Sequence, residues 1–357
     1  LSKVQRVFYN LSSSNTNPKI QELQLELSPI LSTHYDKIIL NQKLFTRIDH
    51  LWKDRENLEL TTEQLKLLED THKQFVRSGA LLNDDEKLKI SEINSKISEL
   101  TTTFGQNLLS ETNDFELILN KGDLDGLSED VILAASESAK QKMDLAETKK
   151  EKKKYKNKYV FTPHRTSMYP FLTESTRRDL REILYNSYIM RGDNNNENDN
   201  KDITVQIAKL RAEKANLMGY ETHAHFVLEE RMLKSPEEVY DLLIQLWNPA
   251  LKRAKLEVKD MQKVIYEEGH DFKLAAWDWW HYSEKVRKEK YDLDESAIKP
   301  YLSLDNALNG VFTTVNKLWG ITFTEILDID SYHPDARIWE VKDKDGSHLG
   351  IFIGDYY

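Results

Sequence analysis

The stretch between Ser235 and Gly269 is the longest helical pattern read in the chain. Ser235-Pro236-Glu237-Glu238 opens this stretch with three helix-start signals together: an N-cap hydroxyl, a proline where a missing N–H costs nothing, and a glutamate placed for a capping box. Gly269 closes it, so the pattern predicts one helix to Glu268, roughly 45–50 Å long at 1.5 Å per residue. A rod of that length demands other long elements beside it. Only 12 Gly and 8 Pro occur in 357 residues, about half the usual share, which also argues for long helices and few tight turns. The fold class is mainly α.

Other segments repeat the helical period. Apolar residues Ile20, Leu23, Leu27, Ile30, Leu31, Ile38 and Leu44 run through 19–47 at mostly helical spacing. Thr61-Thr62-Glu63-Gln64 is a capping box, followed on one face by Leu65, Leu68, His72 and Phe75. Asn83 opens a helix with Asp84, Asp85 and Glu86 in its first turn, where carboxylates favour the macrodipole, and the stripe Ile90, Ile93, Ile97, Leu100, Phe104, Leu108 reads as bundle core. Ser128 is expected to cap a helix through Asp144; the basic run Lys149 to Lys158, interleaved with Glu151, is expected to be a solvated helix end. Helices are further expected over Leu180–Tyr188, ending at Gly192, over Ile203–Leu217, ending at Gly219, and over Leu274–Lys290 with Trp277, Trp279 and Trp280. After Pro300, Ser303 caps a last helix to Gly320, and the loop Gly192–Asn200 is turn chemistry throughout.

Three places read as extended. Phe115–Leu119 is strand-like, and Tyr159–Thr162 with the segment to Phe171 reads as a second extended piece that could pair with it. Near the end, Ile338, Glu340 and Lys342 alternate with Trp339 and Val341. Asp345-Gly346 is a tight-turn dipeptide and Leu349–Ile353 a short apolar run, so 337–355 is a hairpin. Ile321–Ile326 reads as a lead-in to it, and Tyr356-Tyr357 is still strand-like.

Composition excludes several classes. A net charge of −10 argues against a nucleic-acid partner, and no run of about 18 apolar residues is present to span a membrane. Without cysteine there is no disulfide, thiol nucleophile or Cys-held metal. A water-activating zinc needs three protein ligands and an open position, and two histidines one helical turn apart supply two of them. None of the ten histidines has a histidine at i+4. His223 and His225 face different sides of a helix; His281 and Glu284 share a face and could ligate a metal, though amid the tryptophans a hydrogen-bonded core histidine is the plainer reading. The tryptophan cluster itself reads as core before ligand platform. Asp123-x-Asp125-Gly126 and Asp343-x-Asp345-Gly346 lack the spacing of a calcium loop and read as turns.

The end of the chain carries a resemblance. Tyr332-His333-Pro334-Asp335, Trp339-Glu340-Val341, Asp345-Gly346, Leu349-Gly350 and Asp355-Tyr356 resemble the hairpin of the thimet oligopeptidase family of zinc metallopeptidases, which includes oligopeptidase A and the bacterial peptidyl-dipeptidases. Phe8–Thr16, Tyr159–Thr162, Met168–Phe171, Arg191–Asn194, Arg211–Ala215, Leu217–Tyr220, Leu274–Trp280, Pro300–Leu304 and Leu318–Ile321 resemble the peptidyl-dipeptidase branch. The resemblance implies an elongated multi-helix lobe of a two-lobed enzyme, with small β elements at the active-site end. In those terms the chain is one incomplete helical domain: helical hairpins over 1–112, strand–helix–strand over 113–172, long helices over 173–331, and the hairpin over 332–357.

In the family, two histidines and a distant glutamate hold zinc, and the glutamate of His-Glu-x-x-His is base toward the bound water. No position of this sequence matches those residues, so the resemblance implies a fragment cut at both ends, with no catalytic residue, no metal ligand and no zinc of its own. Asp355 and Tyr356 are at most residues standing behind those that meet substrate. The intact enzyme is expected to take oligopeptides, to release C-terminal dipeptides, to be a monomer and to work in the cytoplasm, with export left open because Leu1 is no initiator methionine. The rival reading is a non-catalytic helical scaffold or peptide-binding module.

Overall fold

The computed structural model describes residues 1–291 and 298–356, and the chain divides into two compact units: Leu25–Arg287, and Leu1–Gln24 together with Lys288–Tyr357. The fold is mainly α, as the spacing predicts.

In the larger unit, α2 (Pro18–Ile39, which begins in the smaller unit), α3 (Gln42–Lys53), α4 (Thr62–Arg77) and α5 (Asp84–Asp114) are long amphipathic helices. Their starts are fixed locally. Thr61 accepts from the Gln64 N–H while the Gln64 side chain accepts from the Thr61 N–H, and Asn83 and Glu86 do the same for α5. Ile90, Ile93 and Leu100 of the α5 stripe are buried. At the far end of α5, Glu111 gathers the Gly192 N–H, Asn194 and Asn196, so one carboxylate shapes the loop before α10 (Lys201–Leu217). Burial pushes that carboxyl up, but the three donors outweigh it and hold the group below its ordinary range.

The densest core surrounds a two-stranded antiparallel ribbon, β1 (Leu117–Leu119) and β2 (Tyr159–Phe161), with Ile118 opposite Val160. It is flanked by α6 (Glu129–Leu145) and α8 (Arg165–Glu174), while the short α7 (Lys149–Tyr155) carries exposed lysines. The expectation of an extended segment to Phe171 is overturned. From Arg165 the chain is helical, because Met168, Phe171 and Leu172 fall at i, i+3 and i+4 and all three are fully buried. Pro170 inside α8 forfeits a single backbone bond and does not stop the helix. Ser128 also departs from expectation: its side chain makes no cap, and its N–H donates instead to the Glu174 carboxylate at 2.7 Å, tying the end of α8 to the start of α6.

Following α9 (Arg178–Ile189) and α11 (His223–Leu228), α12 runs Pro236–Glu267, with Gly269 at φ 80° behind it. Ser235 accepts from the Glu238 N–H, but the Glu238 carboxylate takes the Lys234 N–H, so only half of the expected capping box forms. A 3₁₀ turn at Ala276–Asp278 then leads into α13 (Trp279–Tyr291). Here lies the principal buried charge cluster. Asp278 is 0% exposed and Arg181 1% exposed. The Asp278 carboxylate accepts from Arg181 Nη2 at 2.8 Å, from Arg178 Nε at 3.0 and 3.1 Å, and from the Ala275 N–H at 3.1 Å, while Arg181 Nη1 donates to the Ser175 carbonyl at 2.7 Å.

The smaller unit holds α1 (Ser2–Ser14), α14 (Leu304–Trp319) and a three-stranded antiparallel sheet in the order β3 (Thr322–Ile326), β4 (Arg337–Lys342), β5 (His348–Gly354). Ser303 caps α14 by accepting from the Asn306 N–H. The segment read as a lead-in is thus a full strand, paired to β4 from Thr322↔Lys342 to Ile326↔Ile338. Strand β5 stops at Gly354, so Tyr356 lies past it, and Tyr357 is outside the described residues.

Removing the Asp278 carboxylate strands two arginine charges, one of them fully buried. Asp278→Ala is expected to cost about 3–5 kcal/mol, seen as a lower denaturation midpoint. An unchanged midpoint would remove this cluster from the account.

Candidate functional site

The smaller unit's sheet holds the stretch that carries the family resemblance. One face carries Phe323, Trp339 and Phe352, and Phe312 of α14 closes it: Phe312 stacks on Phe323 at 4.1 Å between centroids and meets Trp339 edge-on at 5.6 Å. These rings orient the strands by the period-two rule, since residues 337, 339 and 341 share that face. Arg337 extends it, pairing with Glu325 at 2.7 Å and with Asp305 at 2.8 Å. The turn between β4 and β5 places Gly346 at φ 82°, and its N–H donates to the Asp343 carbonyl. Gly354 is needed for a different reason. A Cβ there would sit 2.9 Å from the Trp339 ring and 2.7 Å from the Tyr356 ring.

Just past β5, the Asp355 carboxylate accepts from the Tyr332 hydroxyl at 2.6 Å, and the Tyr332 carbonyl accepts from Asn15 Nδ2 at 2.9 Å. The bond to Asp355 raises the Tyr332 hydroxyl above its ordinary pKa. Tyr356 is half exposed. Sequence reasoning singled out Asp355 without its tyrosine, although both lie in the stretches that carry the resemblance. The outer edge of β5 has no further strand among the described residues, and Ile351 and Ile353 stand exposed on the face opposite the aromatic rings.

The remaining sequence candidates are dispersed. His225 is engaged with Thr222 at 2.8 Å, and His223 packs beside Phe226. His281 is buried, its Nδ1–H donating to the Thr173 carbonyl at 2.9 Å, while Glu284 is bound by Arg287. The imidazole is therefore a core donor with a fixed tautomer. Trp279 and Trp280 pack against two separate apolar clusters, and Tyr185 lies against both Trp277 and Trp280. On the sheet, His348 pairs with Glu340 at 3.2 Å, and in the connection between β3 and β4 His333 pairs with Asp335 at 3.7 Å. Among the described residues, no three His, Asp or Glu side chains come together as a metal site. The donor set for a catalytic zinc does not fit the residues present. What the sheet offers chemically is a strand edge with unpaired backbone groups and a carboxylate braced by tyrosine.

Comparison with known proteins supplies the context. The model of peptidase family M3 matches residues 171–357, more than half of the chain. Dipeptidyl carboxypeptidase of Escherichia coli (strain K12) is 36% identical over 360 residues, covering 100% of this chain and 51% of that protein. Oligopeptidase A of Salmonella typhimurium is 27% identical over 362 residues, covering 100% of this chain and 52% of that protein, and saccharolysin of Saccharomyces cerevisiae is 25% identical over 97% of this chain. The chain spans about half the length of the curated relatives it matches.

The buried imidazole yields a pH prediction. Burial pushes His281 down to about 4, with the Arg181 charge adding to it, whereas in the unfolded chain it titrates near its ordinary 6.5. Between those values the unfolded state binds the extra proton, so stability should fall as pH drops from about 6.5 to about 4 and this contribution should flatten below. His281→Gln should remove that part of the slope. An identical pH profile in the variant would show that His281 does not titrate on unfolding.

Proposed function

Because the chain belongs to peptidase family M3, we propose that it is the helical framework and part of the active-site sheet of a zinc metallopeptidase that hydrolyses oligopeptides and releases dipeptides from their C-termini. The observation that carries the dipeptide specificity is the alignment over the whole chain with a dipeptidyl carboxypeptidase, at higher identity than with oligopeptidase A. We place the enzyme in the cytoplasm as a monomer; among the described residues no helix is long and apolar enough to cross a membrane.

In this reading the zinc, which would activate the attacking water, is held by residues outside these 357. The contribution of this chain is positional. Main-chain pairing holds an extended peptide regardless of its sequence, and it needs a strand edge in a fixed place. The aromatic packing under β3, β4 and β5 fixes such an edge. Strand β5 supports a further strand, and that strand meets the substrate. Asp355 and Tyr356 stand behind it, Asp355 bracing the end of β5 through Tyr332.

Two measurements test the proposal. The purified chain, supplied with zinc and a quenched fluorescent oligopeptide, should show no chelator-sensitive turnover; such turnover would sink the reading. In an intact M3 enzyme, replacing the aspartate aligned with Asp355 by Asn should lower turnover less than about tenfold, the scale of one hydrogen bond, and leave zinc content unchanged. Loss of zinc would make that aspartate part of the metal site.

A further inference from the structure

Helix α12 carries one apolar stripe along its whole length, and only the end of that stripe is covered. Tyr240, Ile244, Trp247 and Leu251 begin it, at alternating four- and three-residue steps that continue to Met261 and Ile265. Met261 is 2% and Ile265 0% exposed, packed against Tyr282, Phe272 and Leu274. Upstream the same seam is bare: Tyr240 is 67% exposed and Trp247 58%.

Asp241, Gln245 and Asn248 form one narrow polar stripe on the bare half, and the rest of its circumference is apolar. Leu242 and Leu246 lie two residues from Ile244 on either side, about 200° round the helix, and all three are exposed. From Val239 to Leu251 the only charged side chain is Asp241, in a chain that is 31% charged. A helix apolar over most of its circumference packs on more than one side, and depletion of charge marks the centre of an interface rather than a solvated face.

We propose that residues 239–251 of α12 are a docking site enclosed on more than one side by another part of a longer M3 polypeptide, one that continues the seam already formed at Met261 and Ile265. Two observations favour this occupant over a second copy of the chain. A twofold contact between two α12 helices covers one face of each and leaves Leu242 and Leu246 in water. The curated relatives are about twice as long as this chain, so they contain further polypeptide to supply the cover. The choice of occupant rests on the family reading above.

This chain has no cysteine, so single thiols report cleanly. Ile244→Cys and Leu242→Cys, on opposite sides of α12, are labelled with a maleimide in this chain, and the aligned positions are labelled in the intact Escherichia coli dipeptidyl carboxypeptidase, with each site resolved by mass spectrometry. In this chain both thiols should react at the rate of a free cysteine. In the intact protein both should be slowed at least tenfold. Fast labelling at both positions in the intact protein overturns the proposal. So does slowing at Ile244 alone in this chain together with a dimer mass, which would make a second copy the occupant. Labelling does not depend on the reaction catalysed: fast thiols in an enzyme still releasing dipeptides refute the docking site alone, whereas slow thiols in one that releases none refute the function alone.

Discussion

A carboxylate taken fully out of water costs several kcal/mol unless charge and hydrogen bonds replace its hydration. Asp278 meets that condition with two guanidinium groups and a backbone N–H, which join segments nearly a hundred residues apart. Arg181 carries the constraint onward to the Ser175 carbonyl where α8 ends, and Arg178 lies over the Phe272 ring at 4.3 Å. Helices α8 and α9 and the turn into α13 are thereby held in one arrangement. His281, one turn past Asp278, reaches the last turn of α8 by a second route. The ribbon β1–β2 packs on the other side of the same core, since Phe161, Phe171 and Leu184 belong to one cluster.

This rigidity suits a framework rather than a reacting site. The buried titratable groups of this cluster, Asp278, Arg181 and His281, are engaged with one another or with the backbone. The sheet of the smaller unit is fixed in the same spirit, by rings instead of charges. Its free resource is an edge.

Much of this was legible because it is local. Caps at Thr61 and Asn83 and the stripe of α5 follow from residues within a turn or two of each other, as does the glycine turn before β5. Two of the departures have a plain physical reason. The extended reading of Tyr159–Thr162 ran on too far, to Phe171, while the buried triplet Met168, Phe171 and Leu172 obeys the helical period. Strand β3 was missed because its pattern is half exposed and becomes a strand only by pairing with β4. The long-range partners were invisible: nothing near Asp278 points to Arg178 or Arg181, and nothing near Asp355 to Tyr332. Function was legible only through resemblance. The expectations of no metal ligand and no catalytic residue rest on motif spacing, which says nothing of side chains brought together from afar.

Native-state hydrogen exchange along α12 tests most directly the claim that this chain is a framework awaiting its cover. Helices draw most of their stability from packing, and opening free energies vary along a structure with burial. Amides near Met261 and Ile265 should exchange only through global unfolding, while those over 241–248 in the same helix should open at a far smaller free energy. Uniform, global-level protection along the whole of α12 would show that its apolar half is stable uncovered, and would contradict the account.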